Sequence, residues 1–250
     1  MYTLKKSLGQ HFLKDENICK KIVDSLPVIP NQQVLEVGPG AGAITKYLLE
    51  LPATSFKAVE LDTEKVAYLQ KTYPAIQGKL INESFLDVKP PFEGKFNVIG
   101  NFPYNISTQI MFRVLDWKDQ VPCVVGMFQK EVAQRIAAKH GNKDYGILSV
   151  LIQAFYKVEY LFEVSETCFN PPPKVKSAVI RLHRLEQAYD IPNERKFFNL
   201  VKTAFGQRRK QLRNPLKPLF DKEVLQDSFF TKRAEELTVA DFVALSHKMI

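Results

Sequence analysis

The sequence predicts a doubly wound α/β fold followed by a small all-helical C-terminal region. Three observations carry this reading. Gln33–Val37 is a short apolar strand that runs into Gly38-Pro39-Gly40-Ala41-Gly42 and then a helical stretch over 43–50. Strand, glycine-rich turn and helix in that order form the nucleotide-binding half of such a fold. Strand-like and helix-like runs then alternate as far as residue 184, the pattern of parallel strands joined by crossover helices. At about Leu185 the strand-like runs cease, and every later pattern is helical. Two domains follow, 1–184 as the core with its N-terminal segment and 185–250 as the helical remainder.

Composition narrows the class. With 45% hydrophobic and 25% charged residues the chain reads as an ordinary soluble protein. Its formal net charge of +8 favours an anionic partner such as nucleic acid. Cys19, Cys123 and Cys168 are odd in number and far apart. They are expected to be reduced thiols in a cytoplasmic protein rather than a disulfide or zinc framework. The four histidines show no metal-ligand spacing, so no metal site is expected. The N-terminus lacks the apolar region of a secretory signal, and no run is apolar enough to span a membrane.

Taken in order, residues 3–14 are basic and glycine-containing, and His11, Phe12 and Leu13 within them suit an ordered lid or clamp. Ile18, Ile22, Val23 and Leu26 share one helical face, stopped by Pro27. In the glycine loop the spacing is G-x-G-x-G, not that of a dinucleotide pyrophosphate loop. Gly38 and Gly40 let the backbone approach a ligand where a Cβ would collide. Glu36, just inside the strand, would repel a pyrophosphate and suit a cation, either an amino acid's ammonium or a sulfonium centre.

The strand Ser55–Val59 ends in Glu60-Leu61-Asp62. An acid at that strand end is placed to grip a ribose diol, a role given to Glu60. Asp62 is the expected N-cap of a helix over 63–71. A third strand around residues 79–81 leads into Asn82-Glu83-Ser84-Phe85-Leu86-Asp87, whose polar groups would lie near an adenine ring. The fourth strand ends abruptly in Asn101-Phe102-Pro103-Tyr104. Asn101 both accepts and donates hydrogen bonds, and Tyr104 offers a flat face on which a base stacks. Pro103 stiffens the hook between them.

Helices are expected over 107–115, 129–139 and 146–155, and strands over 121–128, 156–162 and 177–182. Phe169-Asn170-Pro171-Pro172-Pro173-Lys174 must be a rigid extended loop. It carries Lys174 at one end and Phe169 at the other, either as an aromatic wall facing Tyr104 or tucked into the core. Between Arg195 and Lys217 there are eight Lys or Arg and no Asp or Glu. A charge run is usually a solvated face, but one lacking counter-charges fits phosphate contacts, centred on Arg208, Arg209, Lys210 and Arg213.

Together the loop with Glu36, the ribose acid and the Asn101 hook suggest S-adenosylmethionine and a planar amine acceptor. GQHFL, VLEVGPGAGAIT, AVELD, NVIGNFPYNIST, QKEVAQR, FNPPPKVKSAVIRL and AFGQRRKQLRN, in this order, resemble the KsgA/RsmA family of ribosomal RNA small-subunit adenine N6,N6-dimethyltransferases. The resemblance covers nearly the whole chain. It implies a Rossmann-like class I methyltransferase core with a seven-stranded, mostly parallel sheet, an N-terminal clamp and a basic helical RNA-contacting domain.

It further implies that His11, Leu13, Gly38 and Glu60 contact the methyl donor. Asn101 would contact donor and target amine, and Tyr104 and Phe169 would hold the adenine. The target protons would be accepted by the Asn101 oxygen and the Phe102 or Pro103 carbonyl. Phe102 stands where Leu is more frequent in the family, a change that should alter packing and leave its carbonyl available. One position departs from the family pattern in chemistry: Ser84 stands where an Asp usually bonds the donor's adenine, so that contact falls to Ser84 or to Asp87. The implied substrate is a pair of adjacent adenines in the 3′-terminal hairpin loop of small-subunit (16S) RNA, within an assembling 30S subunit, with the enzyme a cytoplasmic monomer. Two rival readings are a macrolide-resistance (Erm-type) methyltransferase acting on large-subunit RNA and an RNA-binding assembly factor with little catalysis. FNPPPKVKS and FGQRRKQLRN favour the small-subunit branch.

Overall fold

The computed structural model describes residues 11–250, so the basic arm and Gly9-Gln10 of the clamp lie outside the described residues. The main sheet has seven strands: β2 (Gln33–Val37), β3 (Ser55–Val59), β4 (Leu80–Ile81), β5 (Asn97–Asn101), β6 (Cys123–Gln129), β7 (Tyr156–Val164) and β9 (Ser177–Arg184). Their spatial order is β4-β3-β2-β5-β6-β9-β7. β2 pairs in parallel with both β3 and β5, and β9 runs antiparallel to β6. The central strands are apolar along their length because they are buried: Val34, Leu35, Val98, Ile99 and Val125 have no exposed surface.

The order of strands decides where a ligand can go. From β2 the chain builds outward through β3 and β4, then returns to place β5 on the other side of β2. The crevice at the carboxyl ends of β2 and β5 is therefore the topological switch point, where open α/β sheets bind ligands. Gly38 leaves β2 at that crevice and Asn101 is the last residue of β5.

A second, two-stranded sheet pairs β1 (Phe12–Leu13) with β8 (Phe169–Asn170), in register Phe12↔Asn170 and Leu13↔Phe169. The Lys14 N–H extends this ladder to the Cys168 carbonyl at 2.8 Å. Helix α1 (Glu16–Val23) follows, capped by the Asp15 carboxylate and burying Cys19, Ile22 and Val23. Helix α2 covers only Thr45–Leu48, shorter than the periodicity predicts, because the left-handed backbone of the glycine loop persists to Gly42 at φ +86°. Asp62 caps α3 (Thr63–Thr72) by accepting from the Glu64 N–H. α4 (Ser107–Asp116) and α5 (Lys130–Ala137) complete the order as far as α6 (Ile147–Gln153).

The chain divides into two compact units, Met1–Ala133 with Glu159–Arg184, and Gln134–Val158 with Leu185–Ile250. Residues 134–158, expected within a 1–184 core, group here with the C-terminal helices. The reason is apolar: Val150, Leu151 and Ile152 of α6 are fully buried, α6 packs on α7 (Glu194–Gly206), and the Phe155 ring lies 6.2 Å from that of Phe198. α8 (Val239–Ser246) closes this unit, capped by a reciprocal Thr238–Asp241 pair. The stretch between α7 and α8 consists of turns and single-turn 3₁₀ segments. Gly206 ends α7, and Pro215 and Pro218 oppose a new helix, so Arg208–Arg213 do not share a helix face. Among the described residues no helix is long and apolar enough to cross a membrane.

One packing detail fixes the exit of β5. The Phe102 ring is buried edge-to-face against Phe128, centroids 5.1 Å apart. It fits because the cross-strand partners Gly100 and Gly126 carry no side chain. A Cβ on Gly126 would lie 2.5 Å from the Phe102 ring and 2.6 Å from the Phe128 ring. Gly126→Ala should therefore destabilise the chain by about 1–3 kcal/mol, the usual cost of overpacking. Adding Phe102→Leu should restore most of the drop in melting temperature. A Gly126→Ala melting curve matching wild type would show that the ring is not so confined.

Candidate active site

A cleft of about 1120 Å³, including its open mouth, lies at the carboxyl ends of β2, β3 and β5. His11, Phe12 and Leu13 border it on one side and residues 101–106 on another. Gly38 and Gly40 have φ of +67° and +60°, which turns the loop back on itself. The Gly38 N–H is held by the Val59 carbonyl at 2.9 Å, which ties the loop to the tip of β3.

Glu60 makes the second tie. Its Oε2 accepts from the Gly40 N–H at 3.1 Å and its Oε1 from the Asp62 N–H at 2.9 Å. A carboxylate offers about four acceptor positions, so two remain for the hydroxyls of a diol. Glu36 borders the cleft but is 2% exposed, and its Oε2 accepts from the Thr45 hydroxyl at 2.7 Å. Burial, reinforced by the negative charge of Glu60, pushes its carboxyl up to about 8 despite that hydrogen bond.

At the hook, Asn101 Nδ2 donates to the His11 carbonyl at 3.3 Å. A carbonyl can only be faced by the NH₂ end of the amide, so this bond assigns the side-chain oxygen to the opposite side. The Phe102 N–H continues the ladder to the Met127 carbonyl at 3.2 Å, and the Ile106 N–H closes a turn onto the Pro103 carbonyl at 3.2 Å. The Tyr104 hydroxyl meets Ser177 Oγ at 2.5 Å, and burial raises its pKa above the usual phenol value. His11 stacks on the Tyr104 ring with centroids 5.6 Å apart, its Nδ1 2.8 Å from the Pro171 carbonyl.

The structure corrects several expected site residues. Phe169 does not face Tyr104: it is fully buried and does not border the cleft. Its pairing with Leu13 in the β1–β8 ladder draws both side chains into the hydrophobic core, although Leu13 also reaches the cleft wall. Neither Ser84 nor Asp87 borders the cleft, whereas Glu83 and Phe85 do. The Ser84 hydroxyl is turned to its own loop, accepting from the Leu86 N–H at 3.2 Å.

Arg208 is bound elsewhere too, its Nε donating to Glu235 at 2.6 Å and its guanidinium to the Asn142 carbonyl. The counter-charge missing from the local sequence is supplied by the fold. Arg213 is half-buried, while Arg209, Lys210 and Lys174 are exposed. Arg209 and Lys210 share a polar hollow with Arg233.

Sequence reasoning gave no site role to Leu61, Lys65 and Phe85, which border the cleft together with Glu83, one of the polar groups expected near an adenine ring. Lys65 is 5% exposed, with Nζ 5.4 Å from the Phe12 ring centroid. The available signal was position: Leu61, Glu83 and Phe85 follow parallel strand tips.

A family model described as "Ribosomal RNA adenine dimethylase" matches residues 1–249. A Flavobacterium johnsoniae protein named "Ribosomal RNA small subunit methyltransferase A" is 54% identical over 250 residues, covering 98% of this chain and 95% of the relative. A protein of the same name from Phocaeicola vulgatus is 52% identical, with 98% and 89% covered. Among solved structures, a dimethyladenosine transferase from Plasmodium falciparum superposes with a TM-score of 0.79 at 26% identity, covering 94% of this chain and 96% of that one. The 23S rRNA methyltransferase ErmE gives 0.73 at 21% identity, covering 95% and 99%, a likeness of fold alone.

Glu36 makes stability depend on pH. Its pKa is raised on folding, so its contribution is intact below the unfolded value and is lost as pH rises through about 8. Glu36→Gln keeps an acceptor for Thr45 but cannot ionise. Its melting temperature should gain on wild type steadily between about pH 5 and 8 and level off above, at up to about 1.4 kcal/mol per pH unit. A difference that stays constant from acid to alkaline pH would show that Glu36 ionises normally.

Proposed function

The chain belongs to the ribosomal RNA adenine dimethylase family, and from that premise we propose that it dimethylates N6 of two adjacent adenines in the 3′-terminal hairpin loop of small-subunit (16S) RNA. The observation that supports this is the Asn101–His11 hydrogen bond at the border of the cleft, which occupies the NH₂ of the amide and leaves its oxygen off the His11 carbonyl. S-adenosylmethionine, when bound, supplies a methyl group on a positively charged sulfur, a leaving group that departs as a neutral thioether. The cleft fits it: turned glycines at its floor, a carboxylate with acceptor capacity to spare at Glu60, and apolar walls at Leu61 and Phe85.

In this reading the Gly38–Gly40 backbone gives room to the donor, Glu60 grips its ribose, and His11 and Leu13 close one side. Tyr104, fixed through its hydroxyl to Ser177, presents its ring to the target base once His11 yields that face. Adenine N6 is a poor nucleophile because its lone pair is delocalised into the ring. With the Asn101 side-chain oxygen and the Phe102 carbonyl each accepting a hydrogen bond from one N6–H, the nitrogen is drawn towards a pyramidal geometry and its lone pair aimed at the methyl group. As the N–C bond forms and the S–C bond breaks, one N6 proton leaves to solvent. Orientation and fixed dipoles therefore do most of the work. The target must be unpaired to enter, and exposed Arg209 and Lys210 hold flanking phosphates. The relatives above 50% identity carry the small-subunit name, whereas the large-subunit alternative rests on fold alone. An assembling 30S particle, a monomeric enzyme and a cytoplasmic setting complete the proposal.

Undermethylated small subunits, and large subunits in parallel, should be incubated with labelled methyl donor and the modified bases mapped. Label should appear in two adjacent adenines of the small-subunit RNA only; label confined to the large subunit would refute the reading. Asn101→Ala should slow transfer by about a hundredfold or more, as for loss of a catalytic hydrogen-bonding group, with RNA affinity retained. A wild-type rate in that variant would remove Asn101 from the chemistry.

Charge replacement separates the arginines. Alanine at Arg209 and Lys210 should flatten the dependence of log K on log salt by about 0.7–0.9 for each phosphate no longer neutralised. Arg208→Ala, whose side chain is committed to Glu235, should leave the slope unchanged. Equal changes in all three variants would contradict that distinction.

A further inference from the structure

Beyond Glu60 the cleft continues to a rim between the apolar walls of Leu61 and Phe85, and it carries a polar group, Glu83, to which no role has been given. Leu61 is 57% exposed and borders the cleft there, so an aliphatic side chain is left facing solvent at a strand tip. β4 lies beside β3 at the sheet edge, and the loop that follows it closes the same end of the crevice. Asn82 pins this loop in place: its Nδ2 donates to the Glu60 carbonyl at 2.9 Å and to the Leu61 carbonyl at 3.1 Å. From that fixed point Glu83 and Phe85 reach the cleft, while Ser84 between them does not. The Ser84 oxygen accepts from the Leu86 N–H within its own loop. Glu83 makes no hydrogen bond or ion pair with any described residue.

We infer that Glu83 accepts the exocyclic amine of the donor's adenine, in a base subsite walled by Leu61 and Phe85. The inference rests on the methyl-donor reading above. A ribose gripped at Glu60 places its base outward along β3, over Leu61 and towards the Phe85 ring. The edge of that base then meets the loop after β4. A carboxylate is an acceptor only, so it favours the 6-amino group of adenine and repels the 6-oxo group of hypoxanthine. Glu83 therefore sets specificity for an adenosyl over an inosyl donor, although Ser84 holds the position where related chains carry their acid.

Calorimetric titration with S-adenosylhomocysteine and with S-inosylhomocysteine, in wild type, Glu83→Ala, Glu83→Gln and Ser84→Ala, tests this without any turnover. Wild type should prefer the adenosyl compound by about tenfold or more, the scale of one hydrogen bond to a charged group. Glu83→Ala should weaken adenosyl binding about tenfold and leave inosyl binding as tight as in wild type or tighter, which also shows that the variant folds. Glu83→Gln, whose amide can accept from the amine or donate to the oxo group, should narrow the preference. Ser84→Ala should bind as wild type does. Adenosyl affinity unchanged in Glu83→Ala, or a weakening in Ser84→Ala as large as that expected of Glu83→Ala, would overturn the assignment while leaving the donor reading in place. Failure of wild type to bind either compound would overturn both.

Discussion

A primary amide has one face that donates and one that accepts, and at the tip of β5 a single backbone carbonyl decides which is presented. The His11 carbonyl takes the NH₂ of Asn101, which leaves the oxygen off that carbonyl at the border of the crevice. What positions the His11 backbone therefore positions the amide: the antiparallel pairing of β1 with β8 and the contact of the imidazole with the Pro171 carbonyl. The N-terminal segment is thus part of the site in the most literal sense, because it sets the polarity of a side chain ninety residues away.

The crevice itself follows from strand order. β2 is flanked by strands reached in opposite directions along the chain, so the connections after β2 and β5 diverge and leave a gap. Glu60 then stiffens that gap from the side, holding the glycine loop by one oxygen and the start of α3 by the other. Glu36, deeper and shielded, takes a structural part with Thr45. Burial, with the neighbouring charge of Glu60, holds the Glu36 carboxyl above the usual carboxylate range.

How much of this is legible in sequence depends on the range of the interaction. The strand-loop-helix of residues 33–50, the acid closing β3 and the hook after β5 are local patterns, and the fold class follows from them. Phe169 is different: its side is set by pairing with Leu13, far away in sequence, and that pairing buries it. The run around Arg208 lacks acids nearby, yet Glu235 arrives through the fold to neutralise one arginine. The segment 134–158 is helical by periodicity, but only its burial against α7 shows which unit it serves. Ser84 and Glu83 are adjacent, and no pattern decides which of two neighbours faces the cleft until the loop's own hydrogen bonds are known.

The most direct measurement is a crystal structure of the chain with S-adenosylhomocysteine bound. The sulfur should lie above Gly38, within reach of the Asn101 side-chain oxygen, with the amide NH₂ still on the His11 carbonyl and the ribose on Glu60. A nucleoside lodged elsewhere, or an Asn101 amide turned to present its NH₂ to the sulfur, would contradict the central claim.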